Sequence, residues 1–304
     1  MSHTPKSTTS TNTNLTDSQS NLTDSLTVSK TTSADCTQSQ SQSVPCLETY
    51  SATYSESYFD ALYSDNTDPW QYQTRWYEKR KRDICLAVLP QAQYDNAIEL
   101  GCGNGVFSEL LARRCKALVS TDGNNKAVQL AKQRLAGLPH VRVIQGAIPN
   151  ALLTLKEALL TAYPLSDNPF SKKPLADEPF ANKSLANKPL FDLIVISEIL
   201  YYLSPNDINT VIAWIGQNLA MGGTLLCCHW RYPIDGFTMT GETVHQRLHQ
   251  AFSLANNANN EGGHPVAFNH PTAFSHQSKI VDTDFLLDVW QNAPNSVAMQ
   301  ENLV

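Results

Sequence analysis

The sequence predicts an α/β fold in which helices cover both faces of a doubly wound, mostly parallel sheet. Two patterns support this prediction. Short apolar runs alternate along the chain with segments whose apolar residues recur at helical spacing. One of these runs, at residues 97–100, leads directly into three glycines at alternate positions and then into a helical pattern. Strands that alternate with helices of about ten residues are typical of βαβ units, which bury a parallel sheet on both sides.

The predicted elements follow one another from residue 71 to residue 290. The first is a helix over residues 71–89, whose N-terminus Asp68 can cap and whose first turn accommodates Pro69. Apolar runs predict strands at residues 97–100, 117–121, 141–145, 191–197, 224–230 and 285–290. Helical spacing predicts further helices at residues 106–114, 126–135, 207–219 and 243–252.

Three segments are expected to lie outside the packed core of a domain that spans residues 58–292. Residues 1–50 form a tail rich in Ser, Thr, Asn and Gln, which has too little apolar surface to offset the entropy of ordering and is predicted to be disordered. At about residues 164–190, proline-containing units of five residues predict a low-complexity insertion that is looped out. Residues 293–304 are predicted to form a C-terminal tail.

Composition argues against several function classes. A net charge of −6 disfavours nucleic-acid binding, and the basic run at residues 79–82 is interpreted as a solvated helix face. The sequence contains no stretch of transmembrane length and no signal-peptide pattern, and its seven cysteines form no C-x-x-C pair, so we expect a cytoplasmic protein without membrane contact.

His245 and His249 are four residues apart, but no third ligand is evident, and no metal is expected.

The glycine loop at residues 101–105 is the most informative motif. Glycines at Gly101, Gly103 and Gly105 allow positive φ and close approach of a ligand to the backbone, and the next helix offers free N–H groups. A dinucleotide-binding loop, G-x-G-x-x-G, would need a glycine where Val106 stands. With Glu99 two residues before it, the loop resembles that of class I methyltransferases, which bind S-adenosylmethionine (SAM). The alternative is a glycine turn used only for packing.

Residues at the ends of the predicted strands are further candidates, because ligands of open α/β sheets bind there. Asp122, followed by Gly123, ends the second strand and could accept both hydrogen bonds of a ribose diol or could instead cap a helix. Glu99 could attract the ammonium group of a methionine moiety. The fourth strand ends at Ser197 and Glu198, and the fifth is followed by Arg231.

Several motifs together resemble the nodulation protein S (NodS-like) family of methyltransferases. They are DPW at residues 68–70, RWY at 75–77, ELGC at 99–102, SEILYY at 197–202, HWRYP at 229–233, GETVH at 241–245 and DFLLDVW at 284–290. The resemblance implies the Rossmann-like class I methyltransferase fold, with seven strands and an antiparallel last strand, and SAM as methyl donor. It also implies N-methylation of an amino sugar in a chitooligosaccharide-like acceptor.

The resemblance and the strand-end positions define the predicted cofactor-binding residues, which are Tyr72, Trp76, Glu99, Gly101, Cys102, Gly103, Gly105, Asp122, Gly123, Ala147, Ile148 and Ser197. One position departs from the usual pattern. Class I methyltransferases usually place an acidic residue near the adenine amino group, where this chain has Ala147, so adenine must rely on backbone and apolar contacts such as stacking on Ile148. The helix that carries Tyr72 and Trp76 is expected to close over the cofactor.

The expected reaction is attack of a neutral amine on the sulfonium methyl group, with the protein supplying mainly alignment and a dry cleft. Glu198 or His229 is predicted to receive the amine proton, while Tyr201 and Arg231 orient the hydroxyl groups of the acceptor. For Glu198 and His229 the alternatives are helix capping and a structural role. An O-methyltransferase of a small metabolite or glycan, or a non-catalytic interaction module, are the other functions considered.

Overall fold

The computed structural model describes residues 54–155, 191–258, 274–292 and 296–303. The predicted tail at residues 1–50 and the predicted insertion at about 164–190 lie outside these ranges. Within them, the strands are β1 Tyr94–Leu100, β2 Cys115–Asp122, β3 Val141–Gln145, β4 Phe191–Ser197, β5 Leu219–Trp230, β6 Phe274–Val281 and β7 Phe285–Asn292. The α-helices are α1 Glu56–Ser64, α2 Trp76–Ala87, α3 Val106–Leu111, α4 Asn125–Leu135, α5 Pro205–Asn218, α6 Gly241–Ala258 and α7 Val297–Gln300, and residues 150–155 are also helical.

The strands form one seven-stranded sheet in the order β3-β2-β1-β4-β5-β7-β6. Strands β1 to β5 pair in parallel, whereas β7 is antiparallel to both β5 and β6. The predicted fold, including the antiparallel last strand, is therefore confirmed. Strand order reverses between β1 and β4, and in an open α/β sheet the ligand crevice lies at the carboxyl ends of the strands at such a point.

The core fills both faces of the sheet. Ile98 and Leu100 of β1 belong to a buried cluster that includes α5 and α6, whereas Ala97 of the same strand belongs to a second cluster that includes α2 and α3. Successive side chains of a strand point to opposite faces, so a central strand covered on both sides is apolar at almost every position. None of the helices in the described ranges combines the length and the apolar character that a membrane span requires.

The structure contains elements that were not predicted, among them α1, and two of the differences have a clear physical cause. The helix predicted from residue 71 begins at Trp76, because the Asp68 carboxylate accepts hydrogen bonds from the Tyr72 and Gln73 N–H groups (2.9 and 3.1 Å) and caps a turn instead. Strand β6 was not predicted. Its sequence, FSHQSKIV, is mostly polar because β6 lies at the edge of the sheet, where much of it is exposed.

Candidate functional site

A cavity of about 500 Å³ opens at the carboxyl ends of β1, β2 and β4, where the topology places a ligand crevice. Its walls come from the glycine loop, the end of β2, the residues after β3 and β4, helices α1 and α2, and the segment between those two helices. Its volume lies in the usual range for small-molecule sites, roughly 300–1,000 Å³.

The glycine loop has the backbone conformation that its sequence predicts. Gly101, Gly103 and Gly105 have φ values of 77°, 54° and 79°, which glycine adopts without steric cost. The N–H groups of Gly101 and Cys102 both donate to the Thr121 carbonyl at 2.8 Å, so the loop is held against the end of β2. Gly101 and Gly103 line the cavity, whereas a Cβ at Gly105 would lie 3.1 Å from the Ala131 Cα. Gly105 therefore serves close packing against α4.

Asp122 lines the cavity beside the glycine loop. Its Oδ2 accepts from the Gly103 N–H (2.8 Å) and its Oδ1 accepts from the Asn124 N–H (2.9 Å). Burial raises the pKa of Asp122, and these two donors oppose the shift. Each oxygen keeps a second lone pair, so the carboxylate can still accept from a diol. The alternative role as a helix cap is filled by Asn124, whose side chain accepts from the Ala127 N–H at 3.0 Å.

Glu99 lies beneath the glycine loop and is only 2% exposed. Its Oε2 accepts a short hydrogen bond from the Ser108 hydroxyl, and burial raises its pKa to about 8. Glu99, with Cys102, lines a small recess beside the main cavity, which Gly101 and Gly103 also border. A cation placed in that recess would lower this pKa and restore the carboxylate.

Two tyrosine residues of the cavity wall have hydroxyl groups without a hydrogen-bond partner in the part of the chain that the structure describes. Tyr63 and Tyr77 line the cavity, and their buried hydroxyl groups have no hydrogen-bond partner among the described residues. An unsatisfied buried polar group costs about 1–3 kcal/mol. Next to Tyr63, a Cβ at Gly103 would lie 3.3 Å from its Oη, so glycine keeps this part of the cavity open. A cofactor with hydroxyl, amino and carboxylate groups fits these walls.

A buried cluster of two carboxylates and one lysine lines the other side of the cavity. Lys81 Nζ lies 3.0 Å from Glu78 Oε2 and 2.8 Å from Glu198 Oε1. Glu198 Oε2 also accepts from the Tyr201 hydroxyl (2.5 Å) and the Trp230 N–H (3.0 Å). Burial alone would lower the pKa of Lys81, but the carboxylates of Glu198 and Glu78 raise it above its usual range. Lys81 therefore stays charged and holds both carboxylates in place.

The interpretation of the basic run at residues 79–82 as a solvated face is wrong for two of its members. Lys81 and Arg82 are only 4% and 8% exposed, whereas Lys79 and Arg80 are on the solvent side. Helical spacing of Lys81 with Tyr77 and Glu78 could have indicated the buried face. The carboxylate partner Glu198 is distant in sequence and gave no such signal.

The predicted role of His229 in proton transfer does not fit its position. His229 is fully buried and is not part of the cavity wall. The Leu200 N–H donates to its Nε2 (3.4 Å), and its Nδ1 lies 3.0 Å from His245 Nε2, whose Nδ1 is 2.5 Å from Asp288 Oδ2. Because a backbone N–H only donates and a carboxylate only accepts, each imidazole carries its proton on Nδ1. Burial lowers the pKa of His229 well below its usual value, so the ring is a neutral structural link.

Two other predicted residues also lie away from the cavity wall. Trp76 is 69% exposed at the first turn of α2, with Lys79 over its ring. Arg231 pairs with Glu242 at 2.6 Å and donates to the Asp282 carbonyl, which fixes a surface turn. Both residues belong to motifs of the family resemblance, but Trp76 faces solvent from α2 and Arg231, just after β5, is bound in a surface turn.

The remaining predicted residues are close to the cavity. Tyr72, Gly123, Ile148, Ser197, Glu198 and Tyr201 line it. Ala147 lies between the cavity-lining residues Gly146 and Ile148, and its Cβ would be 3.1 Å from a Cβ at Gly123.

An aromatic wall on the cavity was not predicted. Tyr54, Tyr58, Phe59 and Trp70 contribute to it, and Trp70 stacks on Tyr72 with a ring separation of 5.6 Å. The aromatic residues at 54, 58, 59 and 63 recur at helical spacing, a signal that could have revealed this wall.

Comparison with known proteins supports a single family. The family described as "Methyltransferase domain" matches residues 72–277. Nodulation protein S from Sinorhizobium fredii is 28% identical over 137 residues, which cover 45% of this chain and 48% of that protein. Nodulation protein S from Rhizobium tropici is 27% identical over 161 residues, or 52% of this chain and 53% of that protein. The chain thus spans about half the length of these curated relatives.

A solved structure shares the fold. It is the N-methyltransferase NodS from Bradyrhizobium japonicum in complex with S-adenosyl-L-homocysteine, with a TM-score of 0.53 and 22% identity. The match covers 78% of this chain and 97% of that one.

Proposed function

Since the chain belongs to the methyltransferase domain family and uses SAM as methyl donor, we propose that it methylates an amine, that of an amino sugar or a chitooligosaccharide-like acceptor. The observation that carries the proposal is the charge of the cavity. Four carboxylates line it, against the two cations Arg75 and Lys81; the carboxylates belong to Glu78, Asp122, Glu198 and Asp284.

This excess of negative charge favours a cationic acceptor. SAM carries one net positive charge, so a cavity with two excess carboxylates still attracts a protonated amine after the cofactor binds. A hydroxyl acceptor has no such charge and would gain nothing from the second carboxylate. The N-methyltransferase activity in the name of the Bradyrhizobium NodS structure agrees with this choice.

The aromatic residues near the cluster suit a sugar. Trp230 and Tyr77 meet edge to face, with ring centroids 5.7 Å apart, and both line the cavity. Aromatic rings present a broad apolar face and a polar tip. The C–H face of a pyranose can pack on such a ring while Asp284 and the free Tyr77 hydroxyl bind its hydroxyl groups.

The residues near the glycine loop would bind SAM. Asp122 would accept from the ribose hydroxyl groups, Gly101 and Gly103 would contact the cofactor through bare backbone, and Ile148 would pack on adenine. Bound SAM supplies a methyl group on a positively charged sulfur, which is an electrophile for the amine. Glu99 would pair with the cofactor ammonium from the recess beside the loop.

The protein's part in the reaction is to align and deprotonate the amine. Glu198 would accept a hydrogen bond from the amine and take its proton, while Lys81 and Tyr201 hold the carboxylate in one orientation. The amine would take the methyl group that bound SAM supplies, and the proton that it loses would leave on Glu198 and pass to solvent. Glu78 is the alternative proton acceptor beside Glu198. Burial raises the pKa of Glu78, and Lys81 partly opposes this shift.

The acceptor can be tested with matched substrates. The protein and isotopically labelled SAM are incubated with glucosamine and deacetylated chitooligosaccharides, and with glucose and fully N-acetylated chitooligosaccharides as controls. We expect labelled methyl groups, detected by mass spectrometry, on the free-amine compounds alone. Equal labelling of the acetylated controls would show O-methylation and refute the amine proposal.

Glu198 can be tested by Glu198→Gln, with Glu242→Gln on the surface as control. We expect kcat to fall by about 10²–10⁴, the usual contribution of a general base, with SAM affinity unchanged by calorimetry. If Glu198→Gln keeps wild-type kcat while Glu78→Gln loses it, Glu78 and not Glu198 takes the proton.

A further inference from the structure

We propose that a divalent transition-metal ion of the Zn²⁺ type binds at the edge of the sheet, held by His249 of α6, His276 of β6 and Asp288 of β7. Among the residues that the structure describes, these three form a group whose potential ligand atoms all lie within 4.8 Å of one another. The group is separate from the methyl-transfer cavity and independent of the proposed acceptor.

The distances between the ligand atoms suit a tetrahedral ion. His249 Nε2 lies 3.1 Å from Asp288 Oδ1, and His276 Nε2 lies 2.6 Å from the same oxygen. Around Zn²⁺, with bonds of about 2.0–2.2 Å, neighbouring ligand atoms are roughly 3.3 Å apart. The two histidine nitrogens lie within 4.8 Å of each other. Side-chain adjustments of under an ångström in the two pairs with Asp288, and of up to about 1.5 Å between the histidines, would therefore bring the three atoms to bonding distance.

One nitrogen of the cluster has no hydrogen-bond partner. His249 Nε2 is buried, and although it faces Asp288 Oδ1, its geometry does not form a hydrogen bond with any described residue. A buried nitrogen without a partner costs free energy, and a metal ion would use its lone pair.

Asp288 is built as a metal ligand. It is fully buried. Its Oδ2 accepts from His245, which is itself fixed by His229, so only Oδ1 faces the cluster. A second residue that hydrogen-bonds a metal ligand and fixes its orientation, as His245 does for Asp288, is typical of metal sites.

The ligand types favour Zn²⁺ over harder ions. Two imidazole nitrogens and one carboxylate match the three-ligand sites of Zn²⁺, in which water takes the fourth position, whereas Mg²⁺ and Ca²⁺ prefer sites made of oxygen. His249 and His276 are about one-third exposed, which leaves room for such a water. No metal was expected from the sequence, because His276 and Asp288 lie on strands that are distant in sequence from α6.

The test is metal binding by the full-length protein after chelation and dialysis. Zn²⁺ is titrated by calorimetry, with Mg²⁺ as control, and Co²⁺ is titrated while the visible spectrum is recorded. We expect one Zn²⁺ per chain, a Co²⁺ spectrum of tetrahedral type, and a rise in Tm of roughly 5–10 °C at free Zn²⁺ a hundredfold above Kd.

Variants assign the site. His249→Gln and His276→Gln should each weaken Zn²⁺ binding by at least about 100-fold, and His245→Gln by about tenfold, since it acts through Asp288. His140→Gln, a histidine bonded to the Ala112 carbonyl outside the cluster, should bind as wild type. Circular dichroism checks folding, and a variant that does not fold is replaced by the corresponding Asn variant.

Histidines of the undescribed segments remain in every variant and act as an internal control. Loss of binding in His249→Gln and His276→Gln alone supports the site. Unchanged Zn²⁺ stoichiometry and affinity in the double variant, or no binding by the wild type, would overturn it.

Discussion

Replacing Lys81 with methionine should lower the free energy of unfolding by about 3–5 kcal/mol, the usual cost of leaving a buried charge without its partner. The magnitude follows from the cluster around Lys81 Nζ. Its two partners, Glu78 and Glu198, have side chains only 9% and 12% exposed. Methionine has a similar length, so the variant removes the charge with little change in packing. Glu198 keeps the Tyr201 hydroxyl and the Trp230 N–H as donors, which limits the loss.

A matched control lies two residues away on the same helix. Lys79 pairs with Asp83, and both side chains are at least half exposed. Lys79→Met should therefore cost less than about 1 kcal/mol. Urea unfolding followed by fluorescence and circular dichroism gives both values at pH 7.

The loss of stability in Lys81→Met should depend on pH with a definite sign. Burial raises the pKa of Glu78, and Lys81 opposes this shift. Without Lys81, the folded state binds a proton at Glu78 more tightly than the unfolded chain does, so the variant gains stability as the pH falls. The cost of Lys81→Met should therefore shrink as the pH falls from 7 towards the raised pKa of Glu78. A cost equal to that of Lys79→Met at pH 7, or a cost independent of pH, would refute the buried cluster.

Three further predictions concern the cofactor side. Burial raises the pKa of Glu99 from 4.5 to about 8. As the pH rises from 4.5 to 8, the free energy of unfolding of the cofactor-free protein should therefore fall by up to about 1.4 kcal/mol per pH unit. Glu99→Gln should reduce this pH dependence of the free energy of unfolding, whereas the exposed control Glu109→Gln should leave it unchanged. Equal pH dependences of the two variants, measured by urea unfolding, would contradict the raised pKa of Glu99. Asp122→Asn should weaken SAM binding about 10–100-fold, the loss of hydrogen bonds to a charged group, whereas the surface control Asp95→Asn should bind as wild type in calorimetry. Ala147→Asp should bind SAM more tightly than wild type, since it restores a carboxylate near adenine, and equal or weaker binding would remove that idea.

Local features were predictable from the sequence. The glycine loop, the strands that flank it and Asp122 at the end of β2 lie where the pattern placed them, because each depends on a few neighbouring residues. The start of α2 was misplaced by five residues, since the Asp68 side chain capped a turn that the helical spacing did not reveal. The edge strand β6 was missed because exposed strands lack the apolar run that marks buried ones.

Side-chain roles were less predictable than backbone positions. Glu198 directly follows β4 and His229 lies at the end of β5, so the sequence favoured neither over the other as proton acceptor. In the structure Glu198 lines the cavity, whereas His229 is enclosed behind Tyr201, with an edge-to-face ring separation of 5.6 Å. Which side of a strand end faces the cavity depends on the neighbouring strands and helices, and spacing along the chain does not contain that information.

The sequence by itself determined the fold, the cofactor class and the conformation of the glycine loop. Only residues without a Cβ adopt positive φ cheaply, so the glycines at 101, 103 and 105 specify their own conformation. Tertiary structure alone decided that Lys81 is buried between two carboxylates, and that His249, His276 and Asp288 meet at one edge of the sheet. The physical reason is that the charge and reactivity of a side chain depend on what surrounds it, and those partners come from elements that are distant in sequence and meet only in the folded chain.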